Sequence, residues 1–340
     1  MISLIDVMST IDDRGEPVGH GLKVLRDFPK LFAQKIQIMA GKEYVGELGK
    51  GTILPCRNCS GVHKGVGWKV LCNYFISLVI ARGSFLVYTI MPEPLLWGIA
   101  LFKGKRKIIA VTYEHWGMYI QNNLAGRPIR KALVERGLSR LDGCIVTNTL
   151  YKPKAPYIRI PDYYITDEMT RYSQESVREG CVCLGEMRYG KDVVGLAQVM
   201  GKTDIPLLIA GAFQNRELYL RVKSVRADNI KVENRNLPYG NYLEYLSRYR
   251  YVVLPYDAEY YDGRTSGVLL EGIFMGAIPV APLRLLEQNG IQGLGYQNIT
   301  EIPELIRRYE TGEIAVDNSL EKYHLGSHRK KIAMLLSKLV

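Results

Sequence analysis

The sequence predicts two doubly wound α/β domains, each a parallel sheet covered by helices. Three observations predict it. The chain has 340 residues, too long for one ordinary domain of about 150 residues and suited to two. Short apolar runs alternate with helical patterns from end to end, with no internal repeat and no low-complexity stretch. Several of these runs are unbroken Val/Ile/Leu stretches rather than apolar–polar alternations, the signature of strands buried on both faces of a parallel sheet.

The strands are predicted at residues 2–7, 35–40, 85–90, 107–112 and 143–147 in the first half. In the second half they fall at 180–184, 207–210, 230–233, 251–254 and 278–281. The most apolar region, 70–102, is interrupted by Arg82-Gly83 and Pro92-Glu93-Pro94. No run therefore reaches the roughly 20 residues that cross a bilayer. The region divides into a buried helix over 68–81, a strand over 84–90 and a second helix over 95–102. The domain boundary is expected within 151–169, where Lys152-Pro153-Lys154-Ala155-Pro156 and Ile160-Pro161-Asp162 break any regular element. The domains are then 1–165 and 166–326, with a helix over 327–340 that packs back across the cleft between them.

Composition is ordinary for a globular chain, 47% hydrophobic and 23% charged, which excludes a disordered or collagen-like protein. The net charge of +11 is unevenly placed. Residues 1–165 hold 23 Lys and Arg against 12 Asp and Glu, while 166–340 hold 22 of each. The first domain therefore meets an anionic partner. No RNA-binding motif occurs and the 23 tyrosines spread over both halves, so nucleic acid is not the expected partner. Lys103-Gly104-Lys105-Arg106-Lys107 and the set Arg127, Arg130, Lys131, Arg136 and Arg140 carry the excess. The second set follows Pro128 and alternates with Ile129, Leu133, Val134, Gly137 and Leu138. Such a basic amphipathic stretch suits an anionic membrane surface; a solvated helix face is the competing explanation.

Met1 to Asp13 lacks a basic leader, so no secretory signal is expected. Six cysteines are too few for a disulfide scaffold, and a cytoplasmic protein with reduced thiols is expected. Cys56-x-x-Cys59, followed by His63 and Cys72, has half the spacing of a zinc site. No second pair completes it, so loop or core thiols are expected and no metal.

Two nucleotide signatures fail. Gly19-His20-Gly21 begins like G-x-G-x-x-G but has Val24 at the last position, and Gly49-Lys50 is followed by Gly51 rather than Ser or Thr. Two other segments carry more. Leu184-Gly185-Glu186-Met187-Arg188-Tyr189-Gly190-Lys191-Asp192 follows a predicted strand and precedes a helix, with Arg188 and Lys191 in reach of one pyrophosphate. Later, Leu254-Pro255-Tyr256 ends a strand, and Thr265-Ser266-Gly267 caps the helix opened by Val268-Leu269-Leu270-Glu271. A helix start offers free N–H groups and partial positive charge, an anion site. Glu271 sits among Val268, Leu269, Leu270, Ile273 and Phe274, where a carboxylate is costly unless used; it can accept hydrogen bonds from ribose hydroxyls.

The order Gly185, Arg188, Lys191, then Ile209-Ala210-Gly211, Leu254-Pro255-Tyr256, and Ser266-Gly267-Val268 with Glu271, Gly276 and Pro279-Val280 resembles the nucleotide-sugar domain of GT-B glycosyltransferases. It is most similar to the large retaining group that builds bacterial polysaccharides (glycosyl transferases group 1). The resemblance covers roughly 180–285 and is thin over 1–165. It implies two Rossmann-like domains facing across a cleft, the second holding a UDP- or GDP-sugar donor and the first an acceptor. Arg188 and Lys191 would hold the diphosphate, Ser266 and Gly267 would present amides to it, Glu271 would hold the ribose, and the base would lie near 234–238. One departure stands out: where the family has a glutamate eight positions before Glu271, this chain has Gly263, with Asp262 or Arg264 as possible substitutes.

In the first half, Gly15 to Gly21, including Gly19 and Gly21, resembles that family's glycine-rich loop, against a plain surface turn. His115, after the strand at 107–112, stands where the family places a histidine near the reacting sugar; Glu114 is the neighbouring rival. Asp12 and Asp13 also follow a strand and would serve as base if the reaction inverts. The resemblance implies a hexosyltransferase that needs no cofactor, since cations and a helix N-terminus neutralise the departing diphosphate in place of a metal. The acceptor would be a glycan or a lipid-diphosphate-linked sugar, at the inner face of a membrane. A nucleotide-sugar epimerase and a non-catalytic sugar-binding or scaffolding protein are the alternatives.

Overall fold

In the first half of the computed structural model, strands form where the sequence runs apolar without interruption. They are β1 (Ile2–Ile5), β2 (Thr10–Ile11), β3 (Ile36–Ala40), β4 (Thr52–Ile53), β5 (Asn58–Cys59), β6 (Phe85–Tyr88), β7 (Lys107–Thr112), β8 (Gly143–Val146) and β9 (Tyr157–Arg159). In the second half they are β10 (Cys181–Leu184), β11 (Leu207–Gly211), β12 (Ile230–Asn234), β13 (Tyr251–Val253), β14 (Ile278–Pro282) and β15 (Leu294–Tyr296). The residues described are 1–11, 15–17, 20–59, 65–161, 178–237, 239–264, 266–318 and 323–340.

The chain divides into two units, Met1–Pro161 with Leu325–Val340, and Asp162–His324. The sheet of the first unit has the order β4-β3-β1-β6-β7-β8-β9, and that of the second β12-β11-β10-β13-β14-β15. The pairings within both sheets are parallel. Every predicted strand is present. Each sheet starts at its centre, builds outward to one side, then crosses over to build on the other. This is the doubly wound order, and its reversal, between β1 and β6 and between β10 and β13, marks where α/β sheets bind ligands.

In the first unit, three helices stack in sequence. Helix Val66–Ile80 packs Tyr74 where a β-carbon at Gly98 would come within 2.5 Å of its ring, and the Tyr74 hydroxyl donates to the Phe102 carbonyl at 2.6 Å. Gly98 lies on helix Glu93–Leu101. Helix Pro128–Ser139 crosses that helix at Gly137, whose β-carbon would sit 2.3 Å from the Leu96 carbonyl oxygen. The sequence predicts the first of these helices as buried. Instead it buries Val70, Asn73, Tyr74 and Ser77 and leaves Trp68, Phe75 and Val79 exposed. A helix this rich in apolar residues carries little periodic signal to say which face is covered.

The basic segments are partly used inside the fold. Arg130 grips the buried Glu93 with two hydrogen bonds of 2.8 and 2.7 Å, and Tyr119 adds a third at 2.7 Å. Burial pushes the Glu93 carboxyl up, but the hydrogen bonds from Arg130 and Tyr119 outweigh it and hold the carboxyl below its ordinary range. Arg140 donates to the Ala100 carbonyl and Arg106 to the Leu78 carbonyl, while Lys103 pairs with Asp142 at 2.8 Å. Removing Arg130 strands a buried carboxylate. Arg130→Ala is expected to destabilise the chain by about 1–3 kcal/mol, read as a lowered denaturation midpoint; Lys131→Ala, whose 3.9 Å pair with Glu135 is exposed, is expected to change little.

Helix Leu325–Ser337 closes the first unit. It buries Ile332, Leu335 and Leu336, and Arg329 donates to the Lys30 carbonyl at 2.7 Å.

Candidate functional site

In the second unit the order reverses between β10 and β13, so the stretches that leave these two strands meet. The Asp192 amide donates to the Pro255 carbonyl at 2.7 Å and the Asp257 amide to the Gly190 carbonyl at 2.9 Å. Lys191 and Tyr256 form an antiparallel bridge. Side chains follow the backbone: the Lys191 ammonium lies 5.3 Å from the Tyr256 ring centre, and the Tyr256 hydroxyl is 3.0 Å from Ser266 Oγ.

Helix Gly267–Phe274 begins here. Ser266 is buried and caps it, Oγ accepting from the Leu269 amide at 3.3 Å while its carbonyl accepts from Leu270. Of the four amides a helix start leaves over, those of Gly267 and Val268 have no acceptor among the described residues. A β-carbon placed on Gly185 would lie 3.6 Å from Lys191 Nζ and 3.5 Å from the Val268 side chain. The ammonium and the helix start thus flank one point, held open by the absence of a side chain at Gly185. Gly185 also adopts φ +95°, a left-handed conformation that favours glycine.

Lys191 is half-buried, its ammonium approaching the Leu184 carbonyl at 3.5 Å. Burial, reinforced by the charge of Arg188, lowers its ammonium below the ordinary lysine value. No carboxylate lies within ion-pair distance of it among the described residues. Arg188 is also half-buried; burial opposes its charge, but Tyr261, Glu186 and Tyr260 outweigh that and keep the guanidinium protonated. Glu186 stands 3.6 Å from Arg188 Nε. Two half-buried cations beside the start of a helix have the chemistry to attract a compact anion with more than one charge.

Glu271 lies a turn into the helix and is only 3% exposed. The Tyr242 hydroxyl donates to its Oε2 at 2.8 Å, so the carboxylate is oriented from the neighbouring helix Tyr239–Arg248. Of the two substitutes for the missing glutamate, Asp262 is engaged by Arg284 at 2.8 Å and by Gln288. Arg264 stacks 4.9 Å from the centre of the Tyr260 ring. Gly263 itself has φ +68° and donates to Gln288; a glutamate there would be strained. After β12, Asn234 accepts from the Phe213 amide at 3.1 Å and Arg235 pairs with Glu233 at 2.9 Å. Pro238 and Thr265 lie outside the described residues.

Tyr256, at the end of the predicted strand, stacks at 3.9 Å on Tyr261, for which no role is expected from the sequence; the two rings lie against the ammonium and the guanidinium. Their only signal is the aromatic density after β13. A groove of about 690 Å3 also opens along this edge, lined by Arg188, Lys191, Asn215, Arg221, Tyr256 and Tyr296 among others.

The remaining candidates belong to the first unit. His115 follows β7 and caps helix Trp116–Asn123, Nδ1 accepting from the Met118 amide at 3.1 Å. In its neutral form the ring then carries its proton on Nε2. Its ring meets Tyr151 edge-on at 5.4 Å. Glu114 is exposed, and its carbonyl accepts from Thr112 Oγ1. Gly21 packs tightly: a β-carbon there would lie 2.7 Å from Asp6 Oδ2 and 2.9 Å from the Tyr44 ring. Asp6 directly follows β1 and carries no signal of its own in the sequence, where it falls inside a predicted strand. It is buried, and its Oδ1 accepts from the amides of Met8 and Ser9 at 2.9 and 2.7 Å. Burial nevertheless raises its carboxyl. Asp12, Asp13, Gly19 and His63 lie outside the described residues. Cys56 and Cys72 adjoin, and no group of three metal-ligating side chains occurs among the described residues.

No family model matches the chain, and no curated protein matches it in sequence. Solved structures do. Anabaena HepE in complex with UDP is similar over 99% of each chain at 12% identity and a TM-score of 0.69. Sucrose-phosphate synthase from Thermosynechococcus elongatus covers 99% of this chain and 96% of its own at 14% identity and 0.60. The UDP-GlcNAc 2-epimerase of Neisseria meningitidis, bound to UDP-GlcNAc, covers 99% and 100% at 12% and 0.59. With the doubly wound order of both sheets, these similarities define the class: the chain has the GT-B fold, two Rossmann-like units.

Proposed function

We propose that the protein is a glycosyltransferase that takes a hexose from a nucleoside diphosphate sugar, with UDP as the favoured nucleotide. The observation that carries this is the placing of the Lys191 ammonium and the Val268 side chain, in the first turn of helix Gly267–Phe274, on either side of Gly185 at the reversal of the second sheet. UDP in HepE and UDP-GlcNAc in the epimerase, two proteins of similar fold, support the choice of ligand. Lys191, Arg188 and the helix start hold the diphosphate, and Glu271, oriented by Tyr242, accepts from the ribose. Charge on the diphosphate grows as the sugar bond breaks, so groups fixed against it stabilise the transition state more than the ground state. That neutralisation takes the place of a divalent cation, and no cofactor besides the donor is used.

The first unit takes the acceptor, a glycan or a lipid-diphosphate-linked sugar of cell-surface polysaccharide synthesis. His115 serves as the group nearest the reacting sugar, with Glu114 and Asp13 as further acid–base candidates. Its basic surface holds the protein on the inner face of a membrane.

An epimerase is the second reading, favoured by the similarity to UDP-GlcNAc 2-epimerase. Proton NMR of the protein with UDP-GlcNAc or UDP-glucose separates the two. Slow release of UDP with free sugar is the expected result; a new sugar signal still attached to UDP would establish the epimerase instead.

The lowered ammonium of Lys191 gives UDP binding a pH dependence. UDP is fully ionised above about pH 7 and binds the charged lysine. Affinity therefore falls as pH rises into the alkaline range, beginning below the ordinary lysine value of 10.5. Calorimetric titrations across that range are expected to show the fall, and Lys191→Arg is expected to move it to higher pH.

A further inference from the structure

Helix Val66–Ile80 presents an apolar face that the described residues of the first unit leave largely exposed. Trp68, Cys72, Phe75 and Val79 fall at helical spacing on the side opposite the buried Val70, Asn73, Tyr74 and Ser77. Trp68 is 72% exposed and Val79 79%. The face continues onto Phe102, held beside the helix by the hydrogen bond from Tyr74 to its carbonyl and 56% exposed. Among the helix's 15 residues Lys69 is the one charge. Contiguous exposed apolar surface of this kind marks an interaction site.

The rim of the patch is cationic. Lys69 lies on the helix and Arg82 just beyond it, and Arg106 is fixed at its end by donating to the Leu78 carbonyl at 2.8 Å. Lys105 adjoins it and is exposed. Two acids of the same unit are engaged elsewhere, Glu93 by Arg130 and Asp142 by Lys103. A helix of 15 residues is about 22 Å long, short of the ~30 Å hydrocarbon core. It is suited to lie in an interface rather than to cross it. An exposed Trp among aliphatic side chains, ringed by Lys and Arg, matches the chemistry of an anionic lipid surface: apolar chains beneath, phosphates above.

We propose that this helix face is the membrane-docking surface of the protein. Trp68, Phe75 and Val79 enter the headgroup boundary, while Lys69, Arg82, Lys105 and Arg106 reach the lipid phosphates. The proposal rests on the membrane association put forward above, and moves its seat from helix Pro128–Ser139 to helix Val66–Ile80.

The test is co-flotation of the full chain with phosphatidylglycerol–phosphatidylcholine vesicles and with pure phosphatidylcholine vesicles, for the wild type and for Trp68→Ser/Phe75→Ser/Val79→Ser. Thermal melts and UDP titration serve as folding controls. The wild type is expected to float with the anionic vesicles, and the triple variant to lose about tenfold or more in partitioning with UDP affinity unchanged. Tryptophan emission is expected to shift to the blue and to be quenched by brominated lipid, and Trp68→Phe to remove most of both changes. Should the triple variant not fold, Val79→Glu is used in its place, with the same loss expected. Flotation equal in the wild type and the variant overturns this surface while leaving membrane association standing. No flotation of the wild type overturns both. A concentration-dependent dimer broken by the triple variant, without lipid binding, would assign the face to a second copy and overturn the proposal.

Discussion

Lys191→Ala weakens UDP binding by about 1.5–3 kcal/mol, roughly a 10- to 150-fold rise in Kd. The size follows from the setting. The ammonium is half-buried against the Tyr256 ring and has no carboxylate partner among the described residues, so its charge is left for a ligand. Arg188→Ala costs less, about 1 kcal/mol, because Glu186 already competes for the guanidinium at 3.6 Å and solvent screens that pair. Isothermal titration of both variants with UDP measures the difference. Equal, negligible losses would remove the cations from the site.

Gly211→Ala destabilises the second unit by about 3 kcal/mol or more and lowers UDP affinity with it. Gly211 ends β11 at φ +151°, and a β-carbon there would stand 1.9 Å from the Gly185 carbonyl oxygen. The obstacle is backbone, so no side-chain rotation relieves it. The Gly185 amide donates to the Ala210 carbonyl at 3.2 Å and the Met187 amide to the Ala212 carbonyl at 2.8 Å. Forcing the chains apart therefore moves the same stretch that carries Arg188 and Lys191. Gly46→Ala is the control. A β-carbon at Gly46 meets nothing within 4 Å, and alanine in helix Lys42–Leu48 is expected to be neutral or stabilising by up to about 1 kcal/mol. Thermal melts give the stabilities and titration the affinities.

Both effects trace to features that differ in how plainly the sequence states them. The central strands are legible because parallel sheets buried on both faces need continuous apolar runs, as in Cys181–Leu184 and Leu207–Gly211. Some strands at the sheet margins are not: β9 has Arg159 within three residues and falls in the expected linker, and β4 has two residues, whereas the marginal β12 is predicted at 230–233. The pairing of Arg188 and Lys191 with the start of helix Gly267–Phe274 is legible because each cluster sits at a strand end, where the fold must bring it to the sheet's carboxyl edge. What surrounds them is not legible. Glu93 and Arg130 are 37 residues apart, Tyr242 and Glu271 29 apart; nothing local in the sequence announces either partner. The apolar composition of helix Val66–Ile80 predicts burial, yet composition alone does not say that Trp68, Phe75 and Val79 stay exposed.

A crystal structure of the protein grown with UDP tests the central claim most directly. The account predicts the diphosphate within hydrogen-bond distance of Lys191 Nζ and of the Gly267 and Val268 amides, with the ribose against Glu271. UDP seated instead in the groove beside Arg221 and Asn298, with those amides and Lys191 untouched, would contradict it.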